Sequence, residues 1–218
     1  DFEDFANKVE KFFESMGLRR PELDRWYPEI VTELFRVIDT IEHKSTPTEM
    51  IRLENYKYIH DLLCSIKVSC LRQKRTEAKM QYEAALDAYV TRYFGRPLEK
   101  INTFFDGVQE KVAQGVKEEE ISFQLKFSKQ ELRRVLQAVT LKEVRKGLDE
   151  MYRRIEKHAS EPNSNLIEVI WHAMQTEFLS QYKAIQGMIE RCYPSSDLEL
   201  AFSIGDVLQV FSNIAQSH

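Results

Sequence analysis

The sequence predicts an all-α fold, and three features of the chain lead to that prediction. Only seven glycines and six prolines occur in 218 residues, and none lies between Thr48 and Phe94, so long helices are nearly unavoidable there. Apolar residues recur with the period of one helix face. Hydroxyl side chains stand three residues before acidic ones at several places, which is typical of helix starts. Strands have little room in such a chain.

Caps and breakers set the boundaries of nine predicted helices. The hydroxyl and acid pairs that mark helix starts are Thr46 with Glu49, Ser128 with Glu131, Thr140 with Glu143, and Ser203 with Asp206. The residues that mark helix ends are Gly17, Gly95 with Pro97, Pro162 with Asn163, and Pro194. The predicted helices span residues 2–16, 22–44, 47–71, 75–94, 97–115, 128–139, 140–159, 164–192 and 203–216.

A break between the third and fourth helices is predicted near Cys70. The β-branched Ile66 and Val68, followed by the polar residues 72–75, favour a break at this point. One continuous helix through the whole region is the alternative.

The apolar stripes of these helices are wider than a two-stranded coiled coil requires. One stripe runs through residues 98–112 and another through residues 166–189. Because such stripes bury against several neighbours, they favour antiparallel helical bundles stacked into an elongated rod. Gly95-Arg96-Pro97 is the sharpest interruption, so we place a domain boundary there. Residues 1–95 would be the C-terminal part of one bundle, and residues 96–218 a terminal bundle.

Composition limits the partners and the location of the chain. The formal net charge of −4 is too small to favour nucleic acid, so any electrostatic recognition must be local. The three cysteines, Cys64, Cys70 and Cys192, form no spaced framework, which favours a reducing cytosolic setting without disulfides. No apolar run approaches the ~20 residues that span a bilayer. Helical spacing from the first residues, without an initiator Met, indicates a fragment of a longer protein.

The sequence contains no catalytic or phosphate-binding motif, so we predict that the chain is not an enzyme and holds no cofactor. His60 and Cys64 lie one helical turn apart, but structural zinc wants four ligands, and we interpret them as a semi-buried pair. The run of acidic residues at 118–120 is interpreted as a solvated turn rather than a cation site.

Large aromatic side chains could line a groove for a small molecule. Trp26, Tyr27 and Trp171 instead lie on apolar stripes, which predicts that they belong to the core. We therefore expect no small-molecule substrate.

One charged surface stands out, on the helix predicted at residues 140–159. At ~100° per residue, Lys142, Lys146, Arg153 and Lys157 lie within about 60° of one another, opposite an apolar arc. Residues 128–158 carry nine basic and five acidic side chains, a net charge of +4 within a chain of −4. The predicted face for an acidic partner or lipid consists of Arg133, Arg134, Lys142, Arg145, Lys146, Arg153, Arg154 and Lys157. An ordinary solvated face is the alternative.

Three segments have a residue order more particular than an amphipathic helix requires. Residues 96–136 read RPLEKINTFFDGVQEKVAQGVKEEEISFQLKFSKQELRRVL, residues 142–149 read KEVRKGLD, and residues 189–218 begin IERCYP and end SNIAQSH. These segments resemble the C-terminal region of the Sec-three subunit family, exocyst component one. The resemblance covers the chain from about Met50 onward, and the first fifty residues are interpreted from their pattern alone.

The resemblance implies both a fold and a role. Tethering proteins of this class share tandem helical bundles joined into rods, and the family holds secretory vesicles at the plasma membrane before SNARE-driven fusion. It supplies no catalytic residues, and its phosphoinositide- and Rho-binding module lies in a far N-terminal region that this chain does not contain. The implied function is a non-catalytic interaction segment that contacts other exocyst subunits. Its implied location is cytoplasmic, peripheral at the plasma membrane and at secretory vesicle contact sites.

Two other functions remain open. The basic helix faces could bind acidic phospholipids directly, giving peripheral membrane contact that weakens as salt rises. The chain could instead be a helical regulator of a small GTPase, which would need an exposed arginine. Arg19, Arg20 and Arg96 lie beside Gly or Pro and are the candidates.

Overall fold

The computed structural model describes residues 2–16, 21–66, 68–95, 97–160 and 165–218. Every regular element in these residues is a helix, so the all-α prediction is confirmed. The chain divides into two compact units, residues 1–91 and 92–218. The domain boundary predicted at Gly95-Arg96-Pro97 stays a prediction, as does the stacking of bundles into a rod, and Arg96 itself lies outside the described residues.

The described part of the first unit contains three α-helices and most of a fourth. These are α1 (Phe2–Met16), α2 (Pro21–Thr40), α3 (Thr48–Ser65) and α4 (Arg72–Tyr93), with a short 3-10 helix at Ser69–Leu71 before α4. Aromatic and aliphatic side chains of α2 and α3 form most of the core, with Phe35 and Tyr56 in edge-to-face contact at 5.4 Å. The break predicted near Cys70 is therefore confirmed, and the continuous-helix alternative is wrong.

The second unit is organised around one long helix. Its elements are α5 (Glu99–Ala113), 3-10 helices at Glu118–Phe123 and Leu125–Phe127, α6 (Lys129–Gln137), α7 (Leu141–His158), α8 (Asn165–Cys192) and α9 (Ile204–Ser217). Helix α8 packs against α5, α7, α9 and the first of these 3-10 helices, and apolar side chains along its whole length are buried. Helix α8 lies at the centre of the unit because its apolar surface is wide enough to need several neighbours to bury it.

Buried polar atoms on α8 are satisfied by backbone carbonyls of neighbouring segments. The Trp171 indole donates to the carbonyl of Phe211 at 3.1 Å, and the Tyr182 hydroxyl donates to that of Phe202 at 2.8 Å. At the end of the helix, the Tyr193 hydroxyl donates to the carbonyl of Phe127 at 2.7 Å. These bonds fix the register between α8 and the segments that cover it.

Most of the predicted caps are present. The hydroxyls of Ser128, Thr140 and Ser203 each accept a hydrogen bond from the backbone of the third residue that follows. At Ser203 the bond is reciprocal, and the hydrogen bonds from its backbone N–H and hydroxyl hold the pKa of Asp206 below its usual value. The cap predicted at Thr46 is wrong: α3 begins at Thr48, and Pro47 stands outside it with an extended ψ of 143° and no side-chain cap.

Replacing Thr140 by alanine is expected to lower the free energy of unfolding by about 1 kcal/mol, because its hydroxyl satisfies an orphan N–H at the start of α7. Urea unfolding measures the change. Thr46→Ala is the matched control, since the Thr46 hydroxyl caps nothing and should cost much less. An equal loss at the two sites would contradict this assignment of the caps.

Several other predictions have outcomes in the fold. Tyr27 and Trp171 are buried as predicted, but the prediction that Trp26 belongs to the core is wrong, since its side chain is 54% exposed. The breakers Gly17, Pro162 and Asn163 lie outside the described residues. Within the described part of the chain, no helix combines the length and apolar character needed to cross a membrane.

Candidate interaction face

The predicted basic face lies mainly on α7, whose two sides differ sharply in chemistry. The capping box of Thr140 and Glu143 fixes where the helix begins. One side buries the apolar residues Val144, Leu148, Met151, Tyr152 and Ile155 in the second unit. The opposite side exposes Lys142, Lys146, Arg153 and Lys157, which we call the basic stripe. At ~1.5 Å per residue the stripe is about 22 Å long, so it suits an extended partner better than a single small anion.

Two members of the basic stripe have carboxylate neighbours on the same helix. Arg153 Nη2 lies 3.0 Å from Asp149 Oδ2, and Lys146 Nζ lies 3.9 Å from Glu150 Oε1. All four side chains remain at least one-third exposed, so these pairs are weak, on the order of 0.5 kcal/mol or less.

The two ends of the basic stripe differ from its middle. Lys142 and Lys157 have no carboxylate within 4.0 Å among the described residues. Their charge is therefore available to an external partner. The unpaired charge of the stripe is thus concentrated near its ends.

Arg154 has a structural role that the helical wheel did not indicate. Its side chain is half-buried, and Nη1 donates a hydrogen bond of 3.2 Å to the carbonyl of Tyr93. The same nitrogen lies close to Gly95, which has a positive φ of 79°. Arg154 therefore ties α7 to the backbone at the end of α4, and it is the member of the predicted set least available to a partner.

The remaining predicted residues do not all lie at one site. Arg145 lines a shallow groove with Lys142 of the basic stripe and with residues of α9, including Asp206 and Gln209. Arg133 lines a separate groove with the loop around Leu198. Arg134 pairs with Glu131 on its own helix at 2.9 Å. The eight residues are thus spread over several surface regions, and the basic stripe is the part with the simplest geometry.

A third shallow groove at the end of α7 is lined by Tyr93, Glu150, Arg153, Arg154, Lys157 and His158. His158 adds no positive charge to it near neutral pH, because burial, and then the neighbouring Arg154 and Lys157, lower its pKa. The cationic character of this groove comes from its arginines and lysine alone.

Acidic residues beside the basic stripe also meet the end of α9. His218 Nε2 lies 3.4 Å from Asp149 Oδ1, and His218 Nδ1 lies 3.3 Å from Glu156 Oε2. The ring of His218 packs 4.9 Å from that of Tyr152. These contacts bring the end of α9 against Asp149, which also pairs with Arg153 of the stripe, and against Glu156.

The sequence offered three weaker candidates for a site: the pair of His60 and Cys64, the acidic residues 118–120 and three arginines. Cys64 is exposed, so the pair with His60 is less buried than predicted, and its Sγ lies 3.7 Å from His60 Nε2. Glu118 starts a 3-10 helix rather than a simple turn and pairs with Arg191 at 3.1 Å. No group of three or more metal-ligating side chains occurs in the described residues. Arg19, Arg20 and Arg96, the candidates for a GTPase regulator, lie outside them.

Comparison with known proteins shows the family to which the chain belongs. Residues 1–195 match the family model described as "Exocyst complex component Sec3, C-terminal". The chain belongs to the Sec3 C-terminal family. No solved structure matches this Sec3-family chain.

Relatives of this Sec3-family chain cover it along its full length. It is 49% identical to "Exocyst complex component 1" of Drosophila melanogaster and 44% identical to that of Mus musculus, over 100% of the chain and 24% of each relative. It is 25% identical to "Exocyst complex component SEC3A" of Arabidopsis thaliana, over 90% of the chain and 22% of that relative. The chain thus spans about a quarter of the length of the curated relatives that it matches.

Proposed function

We propose that this chain is a non-catalytic interaction segment of the exocyst vesicle-tethering complex, supporting exocytosis at the plasma membrane through protein–protein contacts. The observation that carries the proposal is the full-length match to two relatives named Exocyst complex component 1. Its partners would be other exocyst subunits, and its location cytoplasmic and peripheral, where vesicles meet the plasma membrane.

The physical character of the chain suits such a role. Long helices such as α8, of 28 residues and therefore about 42 Å at ~1.5 Å per residue, give stiffness without a reactive site. Weak contacts at several places on a stiff body add up, because each contact made raises the effective concentration for the next. If such bundles stack into a rod as predicted, the rod would offer further weak contacts along the length of the complex.

Within this function, the basic stripe would dock on an acidic surface of a partner subunit. A protein partner fits better than a bilayer because the stripe is narrow and is interrupted by Asp149 and Glu150, which an anionic membrane would repel. A partner with its own mixture of charges can match both the lysines and the carboxylates. The unpaired Lys142 and Lys157 would then make the strongest contacts.

Changing Lys142, Lys146, Arg153 and Lys157 together to glutamine should weaken binding of this chain to an exocyst complex reconstituted without its Sec3 subunit by about tenfold. Each exposed charge pair contributes roughly 0.2–1 kcal/mol. Binding is measured at several salt concentrations, and the variant should also lose most of the salt dependence. A matched control removes four exposed cations of the first unit: Lys8, Arg25, Arg36 and Lys79.

The outcomes separate the competing functions. If the unchanged chain fails to bind the complex, the proposed function is wrong. If the glutamine variant binds as well as the control variant, the basic stripe is a solvated face. If only co-sedimentation with acidic liposomes is lost, the stripe is a lipid-binding face and the protein-docking proposal is overturned.

A further inference from the structure

Two large apolar side chains are almost fully exposed on the segment between α5 and α6. Phe123 is 86% exposed and Leu125 is 92% exposed, more than any other large apolar residue in the described part of the chain. Because they are two residues apart, their Cα atoms lie within about 7 Å of each other in any conformation. Single exposed apolar residues are ordinary, but two bare ones so close together form one apolar patch. We call Phe123 and Leu125 the exposed pair.

The backbone that carries the exposed pair is fixed on both sides. Ile121 and Phe127 are 0% and 3% exposed. The backbone N–H of Gln124 donates to the carbonyl of Ile121, and that of Phe127 donates to the carbonyl of Gln124, each at 3.0 Å. The Phe127 carbonyl also accepts the hydrogen bond of the Tyr193 hydroxyl. An ordered segment therefore holds the pair in solvent, so a partner that bound it would pay little to order the backbone.

The first 3-10 helix after α5 has an inner side and an outer side. Residues three apart in a 3-10 helix lie one above the other. On the inner side, Glu118 pairs with Arg191 at 3.1 Å and Ile121 is buried. On the outer side, Glu120 and Phe123 are both exposed. A carboxylate therefore lies beside the aromatic ring on the surface that is open to a partner.

Charges of opposite sign flank the exposed pair along the chain. Exposed carboxylates precede it and exposed ammonium groups follow it: Glu119, Glu120, Lys126 and Lys129. Among the described residues, none of these four groups lies within 4.0 Å of an opposite charge. A complementary surface would therefore have an apolar centre, with cations along one edge and carboxylates along the other.

A lipid bilayer fits this surface less well than a protein does. Residues 117–129 carry three lysines and three glutamates, a net charge of 0, so an acidic leaflet would not attract them. Insertion of the exposed pair would also bring Glu120 against headgroups of its own sign. The charge pattern therefore favours a protein cleft.

We propose that the exposed pair inserts into an apolar cleft of another exocyst subunit, whose rim carries basic side chains beside Phe123 and acidic ones beside Leu125. A few large side chains that fill a partner's pocket carry most of the energy of a typical interface. This inference rests on the proposed function and adds a contact whose chemistry differs from that of the basic stripe. Because its centre is apolar, the contact should persist at salt concentrations that weaken the stripe.

Changing Phe123 and Leu125 together to serine should weaken binding of this chain to an exocyst complex reconstituted without its Sec3 subunit by at least about thirtyfold, at low and at high salt. The matched control changes Tyr58 and Met80 to serine. It removes two apolar side chains that are 64% and 62% exposed on the first unit, and it should bind like the unchanged chain. Urea unfolding should give equal stability for both variants, because all four side chains are exposed.

The outcomes distinguish this inference from the function on which it rests. If the exposed-pair variant binds as well as the control variant while the unchanged chain binds the complex, the inference alone is overturned. If the unchanged chain does not bind, the proposed function and the inference both fail. A loss of binding at low salt only would mean that the contact is electrostatic and would also overturn the inference.

Photo-cross-linking in the assembled complex of full-length subunits identifies the occupant. A photoreactive phenylalanine analogue at Phe123 should cross-link to another subunit at least about fivefold more than the same analogue at Tyr58, because an interface core holds partner atoms in close contact. Cross-links only between copies of this protein, or only to lipid when acidic liposomes are added, would overturn the proposal.

Discussion

Replacing Phe178 by alanine is expected to lower the free energy of unfolding by about 3–5 kcal/mol, the range for a fully buried phenylalanine. The side chain is 0% exposed in the middle of α8. Its ring lies 5.9 Å from that of Phe211 on α9 and 6.5 Å from that of Phe94, so it connects three segments of the second unit. Because native domains are stable by only about 5–15 kcal/mol, this loss is a large fraction of the total.

Urea unfolding followed by far-UV circular dichroism measures the effect of Phe178→Ala. Phe123→Ala is the matched control, since it removes the same atoms from a side chain that is 86% exposed and should change stability by about 0.5 kcal/mol or less. A cost below about 1 kcal/mol at Phe178 would mean that α8 is not the centre of a packed core.

The helices were predictable because local rules and packing agree along most of the chain. Apolar periodicity located the nine α-helices found in the described residues, and the hydroxyls of Thr140 and Ser203 cap the helices that they were expected to cap. The error at Thr46 has a local cause. Proline fits equally well just before a helix, and here Pro47 lies outside α3.

The segment between α5 and α6 could not be predicted, because it is held by contacts with distant residues. Its two 3-10 helices bury Ile121 and Phe127 and expose Phe123, an arrangement with no regular period. The Phe127 ring lies where a Cβ on Gly107 would approach within 3.0 Å, so this packing depends on a glycine on α5. The local sequence shows neither the burial of Ile121 and Phe127 nor the packing of Phe127 against Gly107.

The sequence predicts on which side of α7 the basic residues lie, but it does not predict which basic side chains are free to meet a partner. A wheel places Lys142, Lys146, Arg153 and Lys157 together, and all four are exposed. It cannot show that Arg154, one position further along, is committed to the backbone of Tyr93. Trp26 was predicted to lie in the core for a similar reason. The sequence shows how wide the apolar arc of a helix is, but it does not show how much of that arc a neighbouring helix covers.

Replacing Tyr193 by phenylalanine is expected to cost about 1–3 kcal/mol of unfolding free energy, although the variant removes a single oxygen atom. The Tyr193 side chain is 1% exposed, and its hydroxyl donates a hydrogen bond of 2.7 Å to the carbonyl of Phe127. Without the donor this carbonyl is left buried and unsatisfied. Protection from hydrogen exchange should fall around Phe127 more than in α9, and Tyr58→Phe, at a side chain that is 64% exposed, is the control.

The same hydroxyl gives a pH dependence with a definite sign. Burial, and to a lesser degree the neighbouring Cys192, raise the pKa of Tyr193 above its usual value of 10.0. Above pH 10 the unfolded tyrosine releases its proton while the folded one keeps it, so stability falls as pH rises. The stability gap between the unchanged protein and Tyr193→Phe should therefore be full at pH 8 and smaller at pH 10.5. A gap that stays constant between these two pH values would mean that the phenol titrates alike in both states and would contradict this effect of burial.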